Sequence, residues 1–279
     1  MVGVLSNKVG RDELKPGDHI YSWRSAYLYS HHGIYIGDEK VVHFTRAAGQ
    51  EIGTGTVLDL ILLSSSPTTH AADTCDRCAA ARDQHQPELR NGSDSSAGGG
   101  VIISCLDCFL DGGNLYLFTY NVSPAFFLAK ARGGTCTLAR SDLPELVVHR
   151  ALFLLTRGFG AYCLFKNNCE DFAIFCKTGL LVETAFSVGR SGQLTSITAA
   201  ISAVASSPLR FLTTSAGGLA IVTTSMYCMG RYVADIGVRR DVLKVPVERL
   251  VEHVRISAEE APSVPASAAA SPLSTTERS

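Results

Sequence analysis

An excess of charge of either sign is what this chain most plainly lacks. Its 279 residues carry a formal net charge of −1 and no long block of like charge, so a nucleic acid would find no electrostatic footprint and is excluded as a partner. No internal repeat is apparent, which sets repeat architectures aside. No secretory leader precedes the first β-rich run, so the nine cysteines are expected in a reducing, cytoplasmic setting as free or metal-bound thiols. Glycine stands at position 3, one place too late for N-myristoylation, and no CaaX box closes the other end. What is present in quantity is apolar: a 46% hydrophobic content supports one good-sized core, and the length fits one domain with appendages.

Within that frame, Asn167-Asn168-Cys169-Glu170-Asp171-Phe172 is the most informative stretch. Asn167 or Asn168 can cap a helix, Glu170 and Asp171 fall in its first turn, Lys177 in its last, and Gly179 follows as the C′ residue. Cys169 then sits at a helix N-terminus, where unpaired amides favour a thiolate over a thiol of ordinary pKa, about 8.5. The other helix positions are mostly apolar, which predicts a buried helix with its start facing a cleft. A packed core thiol is the commoner fate of a cysteine in such a helix.

Histidines upstream shift that balance. In His31-His32-Gly33-Ile34-Tyr35-Ile36-Gly37-Asp38-Glu39-Lys40-Val41-Val42-His43-Phe44, two β-rich runs flank a hairpin signal at Gly37-Asp38-Glu39-Lys40. Closing the hairpin brings His31 and His43 near each other, as a general base and its orienting partner must be. His32 competes with His31: strand side chains alternate faces, so only one of the two can share a cleft with His43, and spacing alone does not choose.

At these residues the chain resembles the lecithin retinol acyltransferase family, a permuted relative of papain-like enzymes. The resemblance rests on Lys15-Pro16-Gly17-Asp18-His19-Ile20-Tyr21, His31 to Gly37, Val41-Val42-His43-Phe44 and Asn168 to Phe172, in that order, and covers roughly residues 13–182. It implies Cys169 as nucleophile, His31 as base and His43 as the third, orienting member, and it assigns His32 to a place the family fills with an aromatic residue. It also implies ping-pong acyl transfer on a lipid ester through a thioester on Cys169, with no catalytic cofactor: water as acceptor gives phospholipase activity, an amine or alcohol gives transferase activity. The Cys169 N–H is the natural oxyanion donor.

A second cluster lies between histidines and nucleophile. Cys75-Asp76-Arg77-Cys78 and Cys105-Leu106-Asp107-Cys108 form two CxxC knuckles, each able to turn two thiolates toward one tetrahedral ion, and a structural zinc is expected. Four thiolates leave no open position, which argues against catalytic zinc. Two disulfides and a redox CxxC are the rival readings; the absent leader and the absence of a thioredoxin-like βα unit stand against them. The polar segment Asn91 to Gly100 reads as a disordered loop closed at its base by the metal. The small lipid-acting members of the resembled family lack this cluster.

The expected architecture is α+β: an antiparallel sheet packed with helices, a permuted papain-like arrangement over residues 13–182, with a cysteine-bounded insertion at about 73–110. Residues 17–63 read as strand-rich, Leu115 to Tyr120 as a further strand, and Ser141-Asp142-Leu143-Pro144-Glu145 as the capped start of a helix running to Gly158. His149, inside that helix, reads as an ordinary residue, and Cys136, Cys163, Cys176 and Cys228 as core thiols. Residues 183–256 form an apolar helical extension. Phe211 to Gly230, uncharged between Arg210 and Arg231, is a membrane-segment candidate weakened by its Ser, Thr and Gly content; a buried or interfacial helix fits the same composition. Ser257 to Ser279 has the composition of a disordered tail. Two function classes follow. One is an acyltransferase or phospholipase meeting lipid at a membrane surface; the other is a non-catalytic, membrane-associated regulatory protein that keeps the fold and uses the cysteine loop and tail to engage partners. A peptidase on the related fold ranks below both.

Overall fold

The computed structural model describes residues 7–24, 29–45, 75–85, 100–130, 132–160, 168–182 and 216–252. Strands β1 (His19–Arg24), β2 (Tyr29–Gly37), β3 (Lys40–Phe44), β4 (Val101–Cys105) and β5 (Tyr116–Leu117) form one antiparallel sheet in the order β4-β3-β2-β1-β5. The β2–β3 hairpin is the one expected. Asp38 and Glu39 both take positive φ, 48° and 57°, giving a primed two-residue turn whose twist matches the strands it joins. It sets Gly33 opposite His43 and Ile34 opposite Val42, while β1 sets Ser22 opposite His31 and Tyr21 opposite His32.

Period-two alternation then divides the chemistry between two faces. On one, Ile34, Val42, Phe44, Val101 and Ile103 pack beneath α4 (Pro144–Arg157) and α5 (Cys169–Thr178), through Val147, Ala151 and Leu154 of the first and Phe172, Ala173, Phe175 and Cys176 of the second. On the other, Ile20, Tyr35 and Val41 meet Leu106, Phe109 and Leu110 of a short helix, α2 (Leu106–Leu110), together with Leu115. A helix upstream of it, α1 (Asp76–His85), lies against β4, and α3 (Pro124–Ala129) follows β5. Residues 101–110, the downstream end of the expected insertion, are therefore sheet and core. They escaped notice because the partner strand, β3, lies far upstream in sequence.

Helix α4 begins at Pro144 as expected, but Leu143 occupies the N-cap and no side chain caps it. Asp142 is engaged elsewhere, with Arg150 at 2.7 Å and Lys244 at 2.5 Å. Arg150 also donates to the Cys176 carbonyl at 3.0 Å, which ties α4 to the end of α5. The chain beyond residue 182 returns to this domain. Strand β7 (Val242–Lys244) pairs antiparallel with β6 (Leu180–Val182), and Val247 and Leu250 join the core under α4 and α5.

Between them lies α6 (Ala216–Ala234), which covers most of the 211–230 segment. Its Arg231 is buried, donates to the carbonyls of Lys130 and Arg132, and stacks over Phe127 of α3. Among the described residues no helix is long and apolar enough to cross a membrane. Residues 46–63, 91–99 and 257–279, for which strands, loop and tail were expected, lie outside the described residues.

Candidate active site

Asn168 is the cap of α5. Its side chain accepts from the backbone N–H groups of Glu170 (2.9 Å) and Asp171 (3.2 Å), and the Asp171 carboxylate accepts from the Asn168 N–H at 3.2 Å, a reciprocal capping box. That box fixes the first helical residue, Cys169. Asn168→Ala is expected to cost about 1 kcal/mol of stability, within the usual range for a lost cap, read as a lower urea midpoint.

The Cys169 thiol is buried and donates to the Ser30 carbonyl at 3.8 Å. Burial pushes its pKa up, to about 12; the backbone N–H of His32 pulls the other way, and the Glu170 and Asp171 carboxylates push up again. The expected lowering by the helix start is thus outweighed: amides stabilise a thiolate, but removal from water and two adjacent acids oppose it more strongly.

His31 and His43 meet as the hairpin predicts. His31 Nε2 lies 2.9 Å from His43 Nδ1, the rings edge to face, and His43 Nε2 lies 3.0 Å from Ser104 Oγ on β4. Gly33 makes room for them: a Cβ there would come within 2.7 Å of Val41, 2.9 Å of the Phe109 ring and 3.1 Å of His43 Cβ. Burial lowers both imidazole pKa values, His43 to about 3; His43 and the nearby Arg24 push His31 down further, and Arg24 does the same to His43. Cys169 is placed against the backbone on either side of His31, with its hydrogen bond going to Ser30 rather than to the imidazole.

His32 faces the other way. It bridges Ser30 Oγ (2.8 Å) and His19 Nε2 (2.8 Å), and His19 Nδ1 reaches Tyr120 Oη at 2.7 Å. This is a buried polar chain under the sheet, and it supplies the physical reason His32 cannot share the His43 cleft. His149 is exposed, 3.6 Å from Glu248. Cys136 and Cys176 are buried, Cys228 is half-buried, and Cys163 lies outside the described residues.

Three contributors were missed by sequence reasoning. Ser104 hydrogen-bonds His43. Phe109 packs on both imidazoles, with ring centroids 5.3 Å from each. Arg24 donates to the Phe109 and Leu110 carbonyls and lies near enough to act on Cys169, favouring its thiolate. Arg24 was findable: two residues past Ser22, which stands opposite His31, alternation puts it on the same face. Ser104 and Phe109 carry no local signal.

The four cysteines converge. Cys75, Cys78, Cys105 and Cys108 place their sulfurs within 4.8 Å of one another, with Cys75 and Cys105 3.9 Å apart. The buried Cys105 N–H donates to Cys78 Sγ at 3.2 Å. Amides of Cys78 and Arg77 draw the Cys75 thiol down to about 7, whereas burial raises Cys78 and Cys108, and so does the Cys105 sulfur. Four thiols this close cannot all ionise unless a cation lies among them, so the set could bind a metal.

The comparisons with known proteins agree with this geometry. The profile of the family described as lecithin retinol acyltransferase matches residues 12–182. A curated relative, "Protein LEAD-SENSITIVE 1" of Arabidopsis thaliana, is 54% identical over 254 residues, which span 91% of this chain and 92% of the relative. No solved structure matches. With the hairpin, the capped α5 and a profile reaching across both, the chain belongs to the lecithin retinol acyltransferase family.

Proposed function

We propose that this protein is a cysteine-nucleophile acyltransferase or phospholipase acting on lipid esters, with Cys169 as nucleophile, His31 as general base and His43 as its orienting partner. The observation that carries the reading is the hydrogen-bonded chain from His31 through His43 to Ser104, set beside a thiol at a capped helix start. If His43 Nε2–H donates to Ser104, His43 Nδ1 accepts the His31 Nε2 proton, and His31 Nδ1 is left as the free lone pair a base requires.

The resting pair is neutral thiol and neutral imidazole, so proton transfer accompanies attack instead of preceding it. The S–H proton passes to His31, sulfur bonds to the ester carbonyl carbon, and the lipid alcohol leaves with the proton from the imidazolium. The acyl group then rests on Cys169 until an acceptor takes it. Arg24 favours the sulfur's developing negative charge, and the Cys169 N–H is the first oxyanion donor. Such a substrate is met at a membrane surface. The four cysteines are proposed to hold one structural zinc ion, outside the chemistry.

Without lipid, Cys169 is expected to alkylate slowly at neutral pH and faster as pH rises toward about 12. The decisive measurement is intact mass after incubation with mixed phosphatidylcholine and phosphatidylethanolamine micelles. An acyl-sized gain that hydroxylamine releases and that is absent in Cys169→Ala supports the reading. No gain with well-folded protein removes it in favour of a non-catalytic, membrane-associated role.

A further inference from the structure

Helix α1 is fastened by remarkably little apolar surface, given its length. Of its ten residues only Cys78 and Ala81 are buried, and an isolated helix this short is marginal in water. Its ties include surface pairs, Lys40 to Gln84 at 2.7 Å and Arg77 to Asp107 at 2.6 Å, of the kind that contribute little. Yet its cysteines meet two from β4 and α2, in a cluster separate from both apolar cores. A tetrahedral ion with metal–sulfur bonds of about 2.3 Å spaces its ligands about 3.8 Å apart, close to the 3.9 Å between Cys75 and Cys105. The Cys105 N–H on Cys78 Sγ suits a sulfur carrying negative charge. An all-sulfur set without carboxylate or imidazole selects a soft or borderline ion over magnesium or calcium.

The ligands' neighbours are the surroundings of the histidine pair. Ser104, next to Cys105, places its Oγ 3.0 Å from His43 Nε2. Phe109, next to Cys108, packs on both imidazoles, and the carbonyls of Phe109 and Leu110 hold Arg24. Two of the four thiols therefore sit one residue away from the groups that orient the base.

We infer that the four cysteines bind one zinc-class divalent ion, and that this ion positions the His31–His43 pair through Ser104 and Phe109, making metal occupancy a control on the site. Loading exchanges thiol protons for metal–sulfur bonds and involves no oxidation. The role assigned to the pair rests on the acyl-transfer reading; the metal and the geometry do not.

The test uses the full chain and needs no lipid. Metal content by mass spectrometry is expected at one zinc per chain, lost in Cys78→Ser, and cobalt replacement is expected to show the visible bands of four-sulfur tetrahedral coordination. Imidazole nitrogen NMR is then read for His43, assigned with His43→Gln. The loaded protein is expected to show a single His43 tautomer with the proton on Nε2; chelation is expected to replace it with an averaged signal. Ser104→Ala, which touches no thiol, is expected to keep its zinc and show the same averaging, with acylation slowed about three- to tenfold, the range of one hydrogen bond.

Substoichiometric metal together with a Cys75–Cys105 disulfide overturns the site. A tautomer signal unchanged in Ser104→Ala overturns the coupling, even if chelation unfolds the apo chain. Absence of acyl adducts with the metal and NMR results intact would remove the lipid reading and leave this one standing.

Discussion

Lowering the pH from about 6.5 to about 5.5 is expected to remove about 3 kcal/mol of folding stability. His19, His32 and His43 are 1%, 0% and 5% exposed, and burial holds each well below its ordinary pKa, His32 and His43 at about 3. The sign follows from linkage. These groups stay neutral in the fold while the unfolded chain takes up protons below about 6.5, so stability falls as pH drops, and keeps falling until the folded-state values are reached. Each contributes about 1 kcal/mol over this unit and approaches about 1.4 kcal/mol per unit below it, together a large share of a total of about 5–15 kcal/mol. His31, which burial also holds well below its ordinary pKa, acts in the same sense. Urea midpoints across this range measure the slope, and the double variant His19→Gln/His32→Gln is expected to flatten it. A midpoint independent of pH would show that these imidazoles find protonated states inside the fold.

His31→Ala is expected to slow thioester formation roughly 10²–10⁴-fold, the usual contribution of a positioned general base. Cys169→Ala should abolish the adduct. The two differ in a way that separates roles: His31→Ala keeps the nucleophile and should recover rate at high pH, as the thiol approaches about 12 and ionises without help. His43→Ala leaves the base in place but frees its ring, so its loss should be smaller. Arg24→Gln should shift the pH profile upward, because the cation that favours the thiolate is gone. A His31→Ala enzyme acylated at the parental rate across pH would sink the assignment of the base.

Much of this site was legible because its signals are local. Gly37-Asp38-Glu39-Lys40 announces the turn, and that turn alone brings His31 to His43. Asn168, Asp171 and Gly179 mark both ends of α5 by the chemistry of its unpaired backbone groups, and the two CxxC spacings foretold that four sulfurs would gather. What stayed hidden depends on contacts distant in sequence. Strand β4 read as insertion because it pairs with β3 across residues 45–100, and Ser104 is an unremarkable serine until that register is known. The direction of the Cys169 shift was missed for a related reason: a helix end can be read from sequence, but how deeply the fold buries it cannot.

The same separation governs the order in which the protein is made. β3 leaves the ribosome with β2 already available on one side, while its other edge waits for β4. At roughly 5–20 residues per second, synthesis of residues 45–100 takes about 3–11 s. Throughout that interval Val41, Val42, His43 and Phe44 border an unpaired row of backbone donors and acceptors, a template for a neighbouring nascent chain.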